Sequence, residues 1–423
     1  MSTSNQYPHG DTSWFLRDRF GMFIHWGLYA LPGRHEWVKN REKLGDAHYD
    51  RYFRHFYPDL YDPADWARRA KRAGMKYFVI TTKHHEGFCL WNTACTDYKA
   101  PKTPWGKDLL RPALDAFRSE GLRVGFYYSL LDWHHPQFPV DGFHPQRDDP
   151  AFREMHKHRD IKKYAAYVRD QVEELLTGYG SVDIMWFDFS YPGEEEGKGR
   201  EQWESEKLLE LVRRLQPNIL LNDRLDLPGS ADFKTPEQYQ PTGPMMDEDG
   251  KPVVWEACHT FSGSWGYHRD EATWKSVEQL LWMLIDGVSK GGNLLLNVGP
   301  TARGELDYRA RERLDGIGDW MRQNGRAIYG CGPAPAELPA PEDCRYTYNA
   351  ETRRLYLHFF AWPLKTLELK NLNGKLKYAQ LLHDGSEMTY KLNQNSSSVL
   401  LELPVVKPPL AVPVVELFLA EEK

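Results

Sequence analysis

The chain has 423 residues, room for two domains or for one large barrel plus a module, and its 41% hydrophobic and 27% charged composition is that of a globular protein with a sizeable core. Its formal net charge of −6, from 54 basic and 60 acidic residues, is spread without long runs and argues against a nucleic-acid or anionic-membrane partner. Five irregularly spaced cysteines (Cys89, Cys95, Cys258, Cys331, Cys344) form neither a disulfide framework nor a zinc pattern. No apolar run approaches the roughly 20 residues needed to cross a bilayer. The start has neither a basic nor an apolar leader region, so the chain reads as cytoplasmic.

In chain order, Phe20-Gly-Met-Phe-Ile-His-Trp26 reads as a first strand. Asp62, followed by Pro63, is the N-cap of a helix ending at Gly74. A second strand, Tyr77-Phe-Val-Ile-Thr-Thr82, precedes a helix opened by Asp108 and closed at Gly121. Leu122-Arg-Val-Gly-Phe-Tyr-Tyr128 is a third strand and Val182-Asp-Ile-Met-Trp-Phe-Asp188 a fourth. Between them Val168, Val172, Leu175 and Leu176 mark one helix face. Further strands are expected at Ile219-Leu-Leu-Asn222, Val253-Val-Trp-Glu256 and Asn293-Leu-Leu-Leu-Asn297. A helix with an apolar stripe from Val277 to Val288 lies before the last of these and is core packing.

Repeated β-α units imply a parallel sheet buried on both faces. Seven candidate strands over some 300 residues fit an α/β fold of the (β/α)8-like (TIM-type) barrel class, with room for an irregular element. The missing Gly-rich turn after the first strand argues against a dinucleotide fold. A Pro-rich stretch from Gly332 to Pro341 reads as a linker. Beyond it, alternating runs such as Leu355/Leu357/Phe359 and Val415/Leu417/Leu419 read as a small β-sandwich. The division is a barrel over 1–335 and a C-terminal β-sandwich domain over 336–423. Ser396-Ser-Ser398 and the terminal Glu-Glu-Lys are the only low-complexity patches.

In a parallel barrel, chemistry belongs to polar residues that close the strands. Asp188 is one, on the same strand face as Trp186 and five positions from Asp183, which sits at the stability end. Such a carboxylate can be a nucleophile, a metal ligand or an arginine's ion-pair partner. His84 and His85 follow the second strand and His25 closes the first; they can ligate a metal or hydrogen-bond a polyol. Two adjacent histidines cannot both face inward on a regular strand, so the chain must turn there. Tyr127, Tyr128, Arg224, Glu237, Glu256 and Trp265 complete the set. One aspartate at a strand end, glutamates on later loops and surrounding histidines and tryptophans are the inventory of a glycosidase. There is no G-x-S-x-G elbow, P-loop or H-E-x-x-H, and Cys89 sits between Phe88 and Leu90 like a buried thiol. A metal-dependent barrel hydrolase using His25, His84, His85 and Asp188 stays open as an alternative, as does a silent sugar-binding protein.

Six segments then carry a resemblance: Phe20-Gly-Met-Phe-Ile-His-Trp-Gly27, Thr82-Lys-His-His-Glu-Gly-Phe88, Trp186-Phe-Asp188, Asn222-Asp-Arg224, Ser264-Trp-Gly-Tyr267 and Ser289-Lys-Gly-Gly-Asn-Leu-Leu-Leu-Asn-Val-Gly-Pro300. In this order the chain resembles the α-L-fucosidases of glycoside hydrolase family 29 over nearly its whole length. The resemblance implies a barrel with a C-terminal β-sandwich that removes terminal α-L-fucose with retention, without metal or cofactor. It makes Asp188 the nucleophile, and His25, His84, His85, Trp37, Arg224 and the Tyr127/Tyr128 pair fucose-binding positions. It also makes Glu36 a pocket glutamate and Trp265 the platform under the fucose methyl. Glu237, in Asp-Phe-Lys-Thr-Pro-Glu, is the expected acid/base, in a less polar surround near Trp265; Glu256 reads more like a structural carboxylate. The partner implied is a fucosylated oligosaccharide or glycoconjugate, with linkage unspecified and a homo-oligomer left open.

Overall fold

The computed structural model describes residues 7–393 and 396–420; positions 1–6 of the leader reading and the terminal Glu-Glu-Lys lie outside them. Seven parallel strands form one sheet in the order β5-β4-β3-β2-β1-β7-β6. They are β1 (Phe20–Ile24), β2 (Tyr77–Lys83), β3 (Arg123–Ser129), β4 (Ile184–Asp188), β5 (Leu220–Leu221), β6 (Glu256–Thr260) and β7 (Asn293–Val298). The helices Pro63–Arg72, Leu110–Ser119, Ile161–Gly178, Ser205–Leu215, Val277–Ser289 and Tyr308–Asn324 alternate with them.

The eighth stave is the irregular element. Segment 232–238 pairs with the β5 end through Asp232 N–H to Leu221 O at 2.8 Å. On its other side Lys234 N–H reaches Val254 O at 2.9 Å, and Cys258 N–H reaches Pro236 O at 3.1 Å. Pro236 has no N–H to give a ladder, so this stave is made of isolated bridges instead of a regular strand.

Local signals hold where a side chain meets orphan backbone groups. Asp62 Oδ1 accepts from Asp65 N–H at 3.0 Å with Pro63 at the first helical position. Asp108 accepts from Leu110 and Arg111 N–H at 2.8 and 2.9 Å, one position ahead of the N-cap Leu109. One boundary is corrected: the run at Val253 starts its regular strand only at Glu256 and continues to Thr260. Pairing decides this, since Glu256 lies in register with Asn293, the first residue of β7.

The barrel interior is a small aromatic-rich core of Phe23, Tyr77, Val79, Tyr127, Ile184, Trp186, Leu220, Cys258 and Leu295. Alternate strand residues face outward to a larger layer under the helices. Gly21 belongs to the inner face, where a Cβ would come within 2.2 Å of the Tyr77 ring.

The base of the barrel holds a buried acid. Tyr77 hydroxyl donates to Glu256 Oε2, and burial pushes the Glu256 carboxyl up to about 8. This group is neutral in both folded and unfolded chains below about pH 4.5. Between there and about 8 the unfolded chain gains a charge that the fold denies, so its contribution to stability is lost as pH rises. Glu256→Gln is therefore expected to unfold at the wild-type temperature near pH 4 and a few degrees higher at pH 8. Calorimetry at both pH values checks this; an equal shift at both would refute it.

The C-terminal strands β8 (Cys344–Asn349), β9 (Arg354–Phe359), β10 (Thr366–Leu369), β11 (Leu376–Leu381), β12 (Tyr390–Leu392), β13 (Val399–Glu402) and β14 (Val414–Leu419) form two antiparallel sheets. Their orders are β11-β14-β9-β8 and β10-β13-β12. Leu355, Leu357, Val415 and Leu417 from one meet Leu369, Val399 and Leu401 from the other in a shared core, a sandwich. The second face of β9 is not solvated: His358 lies 6.2 Å from the Trp320 ring and donates to or accepts from Thr347 Oγ1 at 2.9 Å. The sandwich thus docks on the barrel's last helix. No described helix is long and apolar enough to cross a membrane.

Candidate active site

Strand alternation selects what reaches the barrel mouth. On β4, Ile184, Trp186 and Asp188 share the inner face, and across the register Tyr127 lies beside Trp186. The Tyr127 and Trp186 rings stack at 5.7 Å and form a floor. Tyr127 hydroxyl donates to Asp188 Oδ2 at 2.6 Å. Arg224 Nη1 approaches Asp188 Oδ1 at 3.3 Å, while its Nη2 donates to Glu237 Oε2 at 2.9 Å. One guanidinium therefore spans both carboxyl groups. It is held by Thr235 Oγ1 at 3.0 Å from Nε, and Thr235 in turn donates to Asp223 at 2.6 Å. The Trp186 face supports it at 5.1 Å.

The two carboxylates differ in access. The Asp188 side chain is 14% exposed and that of Glu237 41%, so one is recessed and the other open to solvent. Burial raises the Asp188 carboxyl to about 6, with the Glu237 charge adding to it. Arg224 and the Tyr127 hydrogen bond pull the other way without overcoming burial.

The histidines are held neutral by burial. His25 Nδ1 lies 2.6 Å from Asn297 Oδ1, an acceptor, so Nδ1 carries the proton and Nε2 is left to accept. His85 Nδ1 lies 2.7 Å from Ser129 Oγ, whose own proton goes to Leu131 O at 2.9 Å; His85 Nε2 is again the acceptor. That nitrogen stands 3.9 Å from Asp188 Oδ2. The turn after β2 puts both histidines on this side, with Gly87 N–H bonded to His84 O at 3.0 Å and Gly87 at φ +86°. Trp37 packs edge-on to His85 at 5.0 Å, and Trp265 lies 5.1 Å from His25. Glu36 Oε2 accepts from Trp265 and Gly266 N–H at 3.1 and 2.8 Å, clamping the Trp265 loop.

A family model described as alpha-L-fucosidase matches residues 2–326, well over half of the chain. The chain belongs to the α-L-fucosidase family. Alpha-L-fucosidase isoenzyme 1 from Paenibacillus thiaminolyticus superposes with a TM-score of 0.91 at 45% identity, over 97% of this chain and 99% of that one. A family 29 α-L-fucosidase from Bacteroides thetaiotaomicron, solved as a trapped covalent intermediate in complex with 2-fluoro-fucosyl fluoride, gives a TM-score of 0.84 at 28% identity, over 99% and 98%. Plasma alpha-L-fucosidase from Rattus norvegicus is 29% identical over 424 residues, covering 93% of this chain and 87% of that protein.

Within this fucosidase-family barrel the structure gathers Asp188, Glu237, Arg224, Tyr127, His25, His84, His85, Glu36, Trp37 and Trp265 at one mouth. Tyr128 is a correction. It faces outward, with its hydroxyl on Gln171 at 2.8 Å and Lys83 4.4 Å from its ring, because neighbours on a strand point to opposite faces. Glu256 lies at the opposite end of the barrel, at the start of β6. The surround expected for Glu237 is also corrected: it is open to water and tied to Arg224 rather than sheltered. Asn297 was not singled out, although it closes β7 by the same strand-end rule that marks Asp188; its Nδ2 donates to Trp265 O at 2.6 Å while Oδ1 holds His25. Thr235 and Ser129 had no signal beyond their proximity to Glu237 and Tyr128. Cys89 is sealed, and burial pushes its thiol far up. Among the described residues no group of three or more His, Cys, Asp or Glu side chains converges to hold a metal ion, which leaves the metal-hydrolase alternative without a donor set.

Proposed function

We propose that this α-L-fucosidase acts on terminal α-L-fucosyl residues of glycans by double displacement, with Asp188 as nucleophile and Glu237 as acid/base. The observation that carries the reading is the Arg224 guanidinium spanning the two carboxyl groups. A single planar fork between them favours the roughly 5 Å spacing of a retaining pair over the roughly 6.5–9.5 Å of an inverting one. Asp188 attacks the anomeric carbon and the departing oxygen takes a proton from Glu237. Forming the fucosyl ester removes one negative charge from Arg224, whose remaining attraction then favours the Glu237 carboxylate. That carboxylate takes a proton from water, the hydroxide equivalent attacks C1 as the bond to Asp188 breaks and restores its carboxylate, and fucose leaves with its configuration kept. Acceptor nitrogens on His25 and His85 and the indoles of Trp37 and Trp265 match a sugar with hydroxyls on one side and a methyl group on the other.

The test is release of nitrophenol from 4-nitrophenyl α-L-fucoside, with the first-formed anomer followed by NMR and a panel of fucosylated oligosaccharides to define linkage. An absence of turnover, or inversion, overturns the reading. The pH profile offers a further check. A nucleophile must be ionised, so on the nitrophenyl fucoside, whose phenolate departs without a proton, kcat/KM is expected to rise with unit slope up to about pH 6, the position to which burial raises Asp188, and to fall no more than about tenfold above it as the acid ionises. A profile flat from pH 4.5 to 7 would exclude Asp188 as that group.

A further inference from the structure

Behind the histidine pair sits a carboxyl group that the two-carboxylate scheme leaves idle. Glu86 is 1% exposed, and neither of its oxygens has a hydrogen-bond partner among the described residues. His84 Nδ1 is likewise sealed and unpartnered, and it faces Glu86 Oε2 at 3.4 Å. The fold makes room for this carboxyl: at Gly27 a Cβ would come within 2.9 Å of Glu86 Oε1. Burying such a group without donors costs free energy, on the order of 1–3 kcal/mol for a polar atom. Core packing alone gives no return for that cost.

The contrast with the other two histidines gives Glu86 its meaning. Asn297 and Ser129 fix His25 and His85 with their protons on Nδ1, which leaves two acceptors facing the sugar. His84 lies between them, its ring 3.9 Å from His85 and 5.6 Å from His25, and it alone is backed by a group that can donate. We propose that Glu86 is a positioning residue for fucose: its carboxyl group binds His84 Nδ1 and so places the ring proton on Nε2, making His84 the donor of the three. The proposal rests on the fucosidase reading of this site.

The proton inventory agrees. Burial pushes Glu86 up to about 8 and His84 down to about 3, so at neutral pH the acid keeps its proton and the ring is uncharged. The Glu86 O–H then donates to Nδ1. Lys39 and Lys83 act to lower the acid and Asp132 to raise it. The hydroxyls of Tyr29, Tyr49 and Tyr98, which also face it, are kept uncharged by burial. Once Glu86 ionises, Nδ1–H turns to the carboxylate and Nε2 becomes a third acceptor, so a donor to the sugar is lost.

Steady-state kinetics on 4-nitrophenyl α-L-fucoside and binding of L-fucose by calorimetry, from pH 6 to 9, test this with Glu86→Gln and Glu86→Leu. A glutamine amide can also donate to Nδ1. Glu86→Gln is expected to keep KM within about twofold at pH 7 and to lose the rise in KM that the wild type shows above pH 8. Glu86→Leu is expected to raise KM and weaken L-fucose about tenfold, the loss of one hydrogen bond, with kcat nearly unchanged. Equal damage in both variants, an unchanged KM in Glu86→Leu, or a persisting rise in Glu86→Gln overturns the proposal. Should Glu86→Leu not fold, the comparison of Glu86→Gln with wild type decides alone. If the wild type binds L-fucose without releasing nitrophenol, the fucosidase reading fails, and the calorimetric series still decides the role of Glu86.

Discussion

Asp188→Gly is expected to lower kcat on 4-nitrophenyl α-L-fucoside by about 10⁴-fold or more, the scale seen when a covalent nucleophile is removed. The fold should survive, because Asp188 borders solvent at 14% exposure and Arg224 keeps Glu237 as a partner. The variant leaves a space where the carboxylate stood, on the face opposite the departing group. Azide can enter it and attack C1 directly, so added azide should restore turnover and yield fucosyl azide of inverted configuration. Wild type, passing through two displacements, yields retained fucose. If Asp188 served only to anchor Arg224, azide would leave the rate unchanged. NMR of the anomeric proton reads the outcome.

The barrel was legible because its strands are buried on both faces and read as apolar runs between capped helices. Asp62 and Asp108 show their local chemistry openly. The eighth stave was not legible: Asp232, Thr235 and Pro236 break any period, and only the neighbours Leu221, Val254 and Cys258 make the segment extended. The apolar start at Val253 drew the sixth strand early, whereas pairing with Asn293 fixes its beginning at Glu256. Strand-end logic points to Asp188 and Arg224, and equally to Asn297, which the structure brings to the same mouth. Alternation alone separates Tyr127 from Tyr128, although the resemblance had grouped them. The meeting of Arg224 with Glu237 depends on the irregular stave, so no periodicity could announce it. Glu86 stands in the segment Thr82–Phe88, but what it can do depends on what the fold seals around it.

The choice between Glu237 and Glu256 can be made by leaving group. Glu237 touches Arg224 at the mouth, while Glu256 is locked to Tyr77 at the base. In the proposed scheme, replacing Glu237 with alanine removes both the proton donor of the first step and the base of the second. For a fucosylated oligosaccharide, whose sugar alkoxide is a poor leaving group, kcat/KM is expected to fall about 10³–10⁴-fold. For the nitrophenyl fucoside the departing phenolate needs no proton, and kcat/KM should fall about tenfold at most, while the second step slows. A burst of nitrophenol followed by a slow steady state is the signature. Azide, needing no base, should speed that second step and give fucosyl azide of retained configuration, the opposite anomer from that of Asp188→Gly. Glu256→Gln should leave both substrates' kcat/KM near wild type, since its carboxyl lies at the other end of the barrel. If instead Glu256→Gln produced the leaving-group dependence and Glu237→Ala did not, the acid would have to act from a sealed site with no path to the sugar, and the assignment built on Arg224 would fail.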